Sequence, residues 1–265
     1  MAKLVFNRYE KKFLISEPVY LIIRERLEEH MTVDQYGLST ICNVYYDTPD
    51  DLLIRRSIER PKYKEKLRLR SYGVPSEDSP VFLEIKKKYK KTVNKRRIEL
   101  SLSEAYSYLH QGIRPACDTQ ILREIDFFLL RYRLEPRLNL TYRRIALYGK
   151  EDPEFRLTFD SEIRSRRTNV GLEYGDSGIP LLPDKWYVME SKIQNAAPKW
   201  FSDLLTELKI YSSPFSKYGN IYKKEHDMWD AQSMMIHRIE NWSALPPETL
   251  RSEVLRPEVI RTKHL

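Results

Sequence analysis

From Lys64 to Arg70 the chain reads Lys-Glu-Lys-Leu-Arg-Leu-Arg, with a cation at every second position. A β-strand sends alternate side chains to opposite faces, so Lys64, Lys66, Arg68 and Arg70 share one face while Leu67 and Leu69 share the other. One such strand is a wet sheet face. The alternation recurs, however, in Arg8-x-Glu10-x-Lys12, Glu84-x-Lys86-x-Lys88, Lys95-x-Arg97-x-Glu99, Arg156-x-Thr158-x-Asp160 and Glu190-x-Lys192, with larger apolar or aromatic residues on much of the opposite face. Solvated faces mix Thr, Ser and Gln with Lys, whereas Arg and Lys dominate here. Like charges side by side on neighbouring strands repel unless an anion lies between them. The expectation is an α+β fold: an antiparallel β-barrel tunnel of about eight strands with a polar lumen, helices on the outside and a polyanionic ligand.

Composition narrows the partners. The 265 residues suit one large domain, or one domain with an appendage, and can bury a substantial core. Hydrophobic content of 41% with 32% charged residues excludes a wholly disordered chain, and a net charge of +8 favours phosphate-rich partners. Nucleic acid, nucleotides, inorganic phosphate chains and anionic lipid headgroups all remain open at this point. Cys42 and Cys117 cannot build a disulfide framework, and no CxxC pair is present. The first ten residues carry no apolar signal core. The longest apolar run, Phe127 to Leu130, is far too short for a bilayer of about 30 Å. A soluble cytoplasmic protein is expected.

Along the chain, strands are expected at residues 4–14, 41–47, 63–72, 80–90, 93–101, 136–148, 154–167 and 186–194. A helix at 17–30 follows Ser16 and carries Val19, Ile22, Ile23 and Leu27 at helical spacing, for packing on the barrel exterior. Further helical segments are read at 49–58, from a Ser101 or Ser103 cap to His110, at 118–133, from Pro198 onward, and at 216–229. Residues 1–232 form the expected domain, and 233–265 a tail of unknown role.

Several chemistries are excluded. The five histidines have no HExxH spacing, there is no GxxxxGK[ST] or GxSxG, and eight glycines leave no room for a Gly-rich phosphate cradle. Side chains must therefore hold any phosphate: Arg as a planar fork, Lys as a point charge. Phosphoryl transfer needs alignment, charge neutralisation and usually a divalent ion. Glu10, Glu84, Asp160 and Glu190 are the acids that could hold Mg²⁺ or Mn²⁺, and each is equally placed to pair with a neighbouring cation.

A resemblance covers about residues 4 to 225. In order it rests on Arg8-Tyr9-Glu10-Lys11-Lys12-Phe13, Val44-Tyr45-Tyr46-Asp47-Thr48, Lys66-Leu67-Arg68-Leu69-Arg70-Ser71-Tyr72-Gly73, Phe82-Leu83-Glu84-Ile85-Lys86, Tyr142-Arg143-Arg144-Ile145-Ala146, Arg156-Leu157-Thr158-Phe159-Asp160, Met189-Glu190-Ser191-Lys192 and Phe215-Ser216-Lys217-Tyr218. With these segments the chain resembles the VTC domain, the polyphosphate polymerase domain of the triphosphate tunnel metalloenzyme (CYTH-like) superfamily, in a stand-alone prokaryotic form. The resemblance implies transfer of the ATP γ-phosphate to a growing polyphosphate chain that threads the tunnel, with Mn²⁺ or Mg²⁺. By position, Lys12, Arg68, Arg70, Lys86, Arg144, Lys192 and Lys217 match the phosphate-contacting bases, and Glu190 the metal ligand. Arg8, Glu10, Arg56, Lys66, Glu84, Lys95, Arg97, Arg156 and Asp160 make a wider set.

The chain also departs from its relatives. Hydrolytic members open with ExExK; Arg8 stands in the first acidic position here, which places the chain nearer the polymerases. Where some eukaryotic relatives carry a histidine, this chain has Lys87 and Lys88. No SPX domain or membrane helix is read, so membrane coupling is expected to need another, unknown subunit. The competing readings are a triphosphate hydrolase of the same superfamily and a non-catalytic sensor of polyphosphate or other phosphorylated ligands. A nucleic-acid binder is suggested by the basic run Lys86 to Arg97 with Tyr89, but no RNP, KH or helix-turn-helix signature supports it, and nucleic acid is not the expected partner.

Overall fold

The computed structural model describes residues 9–90, 92–194 and 196–228. Arg8 and the expected tail at 233–265 lie outside the described residues. Eight long strands form one antiparallel sheet in the spatial order β1 (Tyr9–Ser16), β9 (Trp186–Ile193), β7 (Arg156–Arg166), β6 (Glu135–Gly149), β2 (Met31–Asp47), β3 (Tyr63–Tyr72), β4 (Pro80–Tyr89), β5 (Thr92–Ser101). The two-residue β8 (Ile179–Pro180) adds to β7.

Directly paired residues of an antiparallel ladder share a face, so the register reports which side chains meet. Lys12 pairs with Glu190, Thr158 with Glu190, Asp160 with Arg144, Arg68 with Glu84, Lys66 with Lys86 and Lys86 with Lys95. One continuous face therefore crosses every long strand and carries these charged positions. The sheet curls around that face: Lys86 on β4 feels the charges of Glu10 and Lys12 on β1, at the opposite margin. Among the described residues no backbone ladder joins β1 to β5, so the expected barrel is a curled tunnel-like sheet with a seam. Alternation specifies which face a side chain takes; it does not specify whether the last strand bonds to the first.

The convex face carries apolar residues under helices. Leu67, Leu69, Val81, Leu83 and Ile85 pack with Ala105 of α3 (Leu102–Gln111) and with Leu122, Ile125 and Phe128 of α4 (Gln120–Arg131). Ser101 caps α3 in a capping box with Glu104, satisfying amides that the first turn leaves free. Phe13, Ile15, Phe159 and Met189 pack with Val19, Ile22, Ile23 and Leu27 of α1 (Glu17–Leu27) and with Phe201 and Leu204 of α5 (Lys199–Glu207). A further cluster is built differently. Leu14, Val188, Leu138, Leu140 and Tyr142 have the parity of the charged face, and they meet Ile54 of α2 (Leu52–Ile58) with Tyr218 and Ile221 of α6 (Lys217–Glu225). These two helices thus fill one end of the concave side, while the other helices cover the outer wall.

Most elements fall within a few residues of their expected bounds. The exception is β2, which begins at Met31 rather than near residue 41. Its first part is largely exposed and breaks register between Val33 and Leu38, so it has no buried face to impose an alternating pattern.

Candidate functional site

Two carboxylates are buried inside the curl, each clamped by cations. Glu84, 1% exposed, accepts from Arg68 Nε and lies 2.7 Å from Lys95 Nζ and 3.9 Å from Arg70 Nε. Burial alone pushes its carboxyl up, but Arg68, Arg70 and Lys95 overcome this and hold it down at about 2. Asp160, fully buried, receives both arms of Arg144, at 2.6 and 2.8 Å, and the Lys217 ammonium from α6. These cations likewise outweigh burial and hold it at about 2. The guanidiniums are fixed from other directions as well. Arg70 donates to Asn43 Oδ1 at 2.9 Å and to the Tyr142 hydroxyl at 3.0 Å, and Arg68 donates to the Tyr45 hydroxyl at 3.3 Å.

Glu190 is held differently. Lys12 Nζ and Lys192 Nζ stand 3.7 and 3.6 Å from its oxygens, and among the described residues it accepts no hydrogen bond. Burial opposes its ionisation, yet Lys12, Lys192, Lys217 and Arg144 keep it a carboxylate well below the ordinary range. Lys12 also lies 3.3 Å from Glu10 and donates to the Phe215 carbonyl at 3.2 Å. Burial lowers its pKa, but Glu190 and Glu10 raise it further, so it stays charged.

Lys66 and Lys86 face each other across β3 and β4, and among the described residues neither has a carboxylate within 4.0 Å. Burial, with Lys86, Lys64 and Lys12 adding repulsion against an opposing pull from Tyr45, lowers Lys66 to about 8. Lys86 is lowered by burial and by Lys12 and Arg68, with Glu10 and Glu190 opposing. Tyr45 is driven the other way. Burial would raise its hydroxyl, but Arg68, Lys66 and Arg70 bring it down to about 7.

The fold thus assembles Lys12, Arg68, Arg70, Lys86, Arg144, Lys192, Lys217, Glu10, Lys66, Glu84, Lys95, Asp160 and Glu190 on one concave face, with Arg97 and Arg156 exposed at the same parity. Arg56 is apart. It is exposed on α2 and acts on Tyr132, which hydrogen-bonds Glu65 on the outer face of β3. The basic run from Lys86 to Arg97 is not one surface either: Lys86 and Lys95 face inward, while Lys87 and Arg96 pair with Glu124 of α4. Tyr45, Asn43 and Tyr142 belong to the site but carry no charge for an alternation search to find. Their parity with Asp47 and Arg144 was the available signal.

No group of three or more His, Cys, Asp or Glu converges among the described residues. Glu84 and Asp160 are consumed by ion pairs. Glu190, which accepts no hydrogen bond among the described residues and has Glu10 on the far side of Lys12, is the donor that fits a divalent ion. Mg²⁺-type sites take one or two carboxylates and complete the shell with water and substrate phosphate.

A family model described as VTC domain matches residues 7–226. Vacuolar transporter chaperone complex subunit 4 of Trypanosoma cruzi is 28% identical over 225 residues, which are 69% of this chain and 28% of that protein. The subunit 4 of Trypanosoma brucei brucei is 29% identical over 275 residues, 82% of this chain and 34% of that protein. The chain therefore spans about a third or less of these curated relatives. Among solved structures, a candidate adenylate cyclase from Bacillus halodurans matches with a TM-score of 0.51 at 17% identity, covering 78% of this chain and 92% of that one, a likeness of fold alone.

Proposed function

The chain belongs to the VTC domain family, and on that premise we propose that its concave face binds a triphosphate and transfers the γ-phosphoryl group of ATP to a polyphosphate chain. The observation that carries this reading is the facing pair Lys66 and Lys86. Like charges directly opposite on a ladder are destabilising, and here the half-buried Lys66 and the more open Lys86 both lack a carboxylate partner among the described residues. An anion between them removes both penalties. The remaining cations are arranged to receive it, because Glu84 and Asp160 fix Arg68 and Arg144 before any ligand arrives.

Pre-positioned donors are what phosphoryl transfer requires, since the reaction gains most from alignment and charge stabilisation in a low-dielectric site. Lys66, Lys86, Arg68 and Arg70 take the donor's oxygens, and Lys12, Lys192 and the exposed Arg156 receive the acceptor. A phosphate-chain end is already an oxyanion, so it attacks without a general base. Two polyanions can approach only where cations far outnumber acids, as they do on this face. Glu190 would hold Mg²⁺ or Mn²⁺, with Glu10 across Lys12 from it. Such an ion, when bound, neutralises charge developing on the phosphate oxygens. With α2 and α6 filling one end, the route in runs past Arg97, Arg156 and Lys192.

Purified protein given ATP and Mn²⁺ is expected to make a product that an exopolyphosphatase degrades, with ADP released. Stoichiometric phosphate without chain growth would instead assign a triphosphate hydrolase. Tight polyphosphate binding without turnover would assign a sensor.

A further inference from the structure

Two large apolar side chains of α4 stand in water. Leu130 is 87% exposed and Phe127 64%, on the side of the helix away from the buried Leu122, Ile125 and Phe128, and neither joins an apolar cluster. Residues three and four apart on a helix are neighbours, so Phe127, Leu130 and the exposed Arg131 form one stripe. The stripe ends where α4, α2 and the tip of the β3–β4 ladder meet. Arg131 lies 3.8 Å from Glu65 of β3, which accepts from the Tyr63 and Tyr132 hydroxyls at 2.6 and 2.8 Å, and Tyr132 feels the charge of Arg56 on α2. Tyr63 pairs with Tyr89 of β4, and beyond them the Lys90 amide donates to the Lys62 carbonyl at 2.6 Å.

This end of the molecule is basic. Residues 56–64 set Arg56, Arg60, Lys62 and Lys64 against Glu59 alone. Arg56, Arg60, Lys62 and Lys90 are exposed and have no carboxylate within 4.0 Å among the described residues; of the other acids nearby, Glu65 is engaged by its tyrosines and Arg131, and Glu124 by Lys87 and Arg96. The exposed rings of Tyr63 and Tyr89 stand among these cations. Three chemistries therefore share one surface: uncompensated positive charge, amphipathic rings and an apolar pair. A second copy of the chain would bring like charges together. Nucleic acid takes up cations and rings but gives Leu130 nothing to bury against. The surface of an anionic bilayer engages all three, with lipid phosphates for the cations, the headgroup level for the tyrosines and the acyl boundary for the apolar pair. We infer that this end docks on an anionic lipid surface, Leu130 and Phe127 entering the acyl boundary between headgroups held by Arg56, Arg60, Lys62 and Lys90. The ladders place it at the opposite end of the sheet from Arg156 and the way into the concave face. Docking thus leaves that face free and stands independently of the triphosphate reading.

The test is sedimentation of the full chain with vesicles of phosphatidylcholine alone and of phosphatidylcholine mixed with phosphatidylserine. Binding is expected to the mixed vesicles only, and to weaken as salt is added. Changing Lys62→Glu and Lys90→Glu together is expected to lower partitioning at least tenfold. Leu130→Ser keeps every charge and is expected to lower it about tenfold, as is Phe127→Ser. These side chains are exposed and lie outside the concave site, so each variant should keep the wild-type melting temperature and a tripolyphosphate affinity within about twofold. No binding to the mixed vesicles, equal binding to both kinds, or variants that bind like the wild type would overturn the inference. Loss with the lysine changes but with neither serine change would overturn it too, since the apolar pair would then not enter the lipid. Tighter capture of a single-stranded RNA oligonucleotide than of mixed vesicles, with the same dependence on Lys62 and Lys90, would assign the surface to nucleic acid instead.

Discussion

Glu84, Asp160 and Glu190 are three acids on one face of one sheet, and their neighbours give them different work. The first two are counterions that hold arginines in place; the third sits between lysines at distances too long for hydrogen bonds. The sequence shows that all three face inward, because alternation reports parity. It cannot separate counterion from metal ligand, because that depends on cross-strand partners. The pH dependence follows from the depressed carboxyl values. Glu84 is held at about 2 against an ordinary 4.5, so its stabilising contribution is complete above the ordinary value and is lost as pH falls toward 2. Glu84→Gln is accordingly expected to lower stability at neutral pH by an amount on the order of 3 kcal/mol, and to flatten the acid side of a melting-temperature profile. A variant with the wild-type acid slope would count against the clamp. Glu190→Gln is expected to abolish metal-dependent turnover while tripolyphosphate still binds, measured by activity and calorimetry on the same preparation. The lysines give an alkaline limit. Lys66 and Lys95, each lowered to about 8 chiefly by burial, lose charge well below the ordinary 10.5. Tripolyphosphate affinity should therefore fall between about pH 7 and 9, with proton uptake on binding visible in buffers of different ionisation enthalpy. An affinity flat across that range would contradict the lysine assignment.

At the scale of one element, β3 carries both halves of the design in adjacent residues. Leu69 is fully buried against α3 and α4, and Arg68 belongs to the site. Leu69→Ala is expected to cost about 3 kcal/mol in denaturant unfolding and to leave tripolyphosphate affinity unchanged. Arg68→Ala and Lys86→Ala should lose affinity at least tenfold, and Lys86→Ala should keep its stability because it removes a like charge facing Lys66 across the ladder. Equal effects from both kinds of change would mean that the faces are not separate. Strands with one buried face were readable from their alternation, as β3 and β4 show. The first part of β2 was not, because neither of its faces is consistently buried. The placement of α6 was also hidden. Its apolar residues have ordinary helical spacing, and only the structure reveals that they meet the inward-facing Leu14, Leu138 and Leu140 rather than the outer wall.

Over the whole molecule, the curl turns a modest surplus of charge into a concentrated one. The net +8 belongs to the entire chain, yet Lys12, Lys66, Arg68, Arg70, Lys86, Lys95, Arg144, Lys192 and Lys217 converge on one concavity, where repulsion is offset only partly by acids such as Glu10, Glu84, Asp160 and Glu190. No helix among the described residues is long and apolar enough to cross a membrane. The sense of the curl was legible, since the alternating cations of β3, β4 and β5 share one face. The seam between β1 and β5 was not, because side-chain parity is indifferent to closure. The most direct test is a crystal structure with a nonhydrolysable ATP analogue and Mn²⁺. Triphosphate density in contact with Lys66, Arg68, Arg70 and Lys86 is the predicted result. Density on the outer surface, or at a place that none of these side chains reaches, would contradict the account.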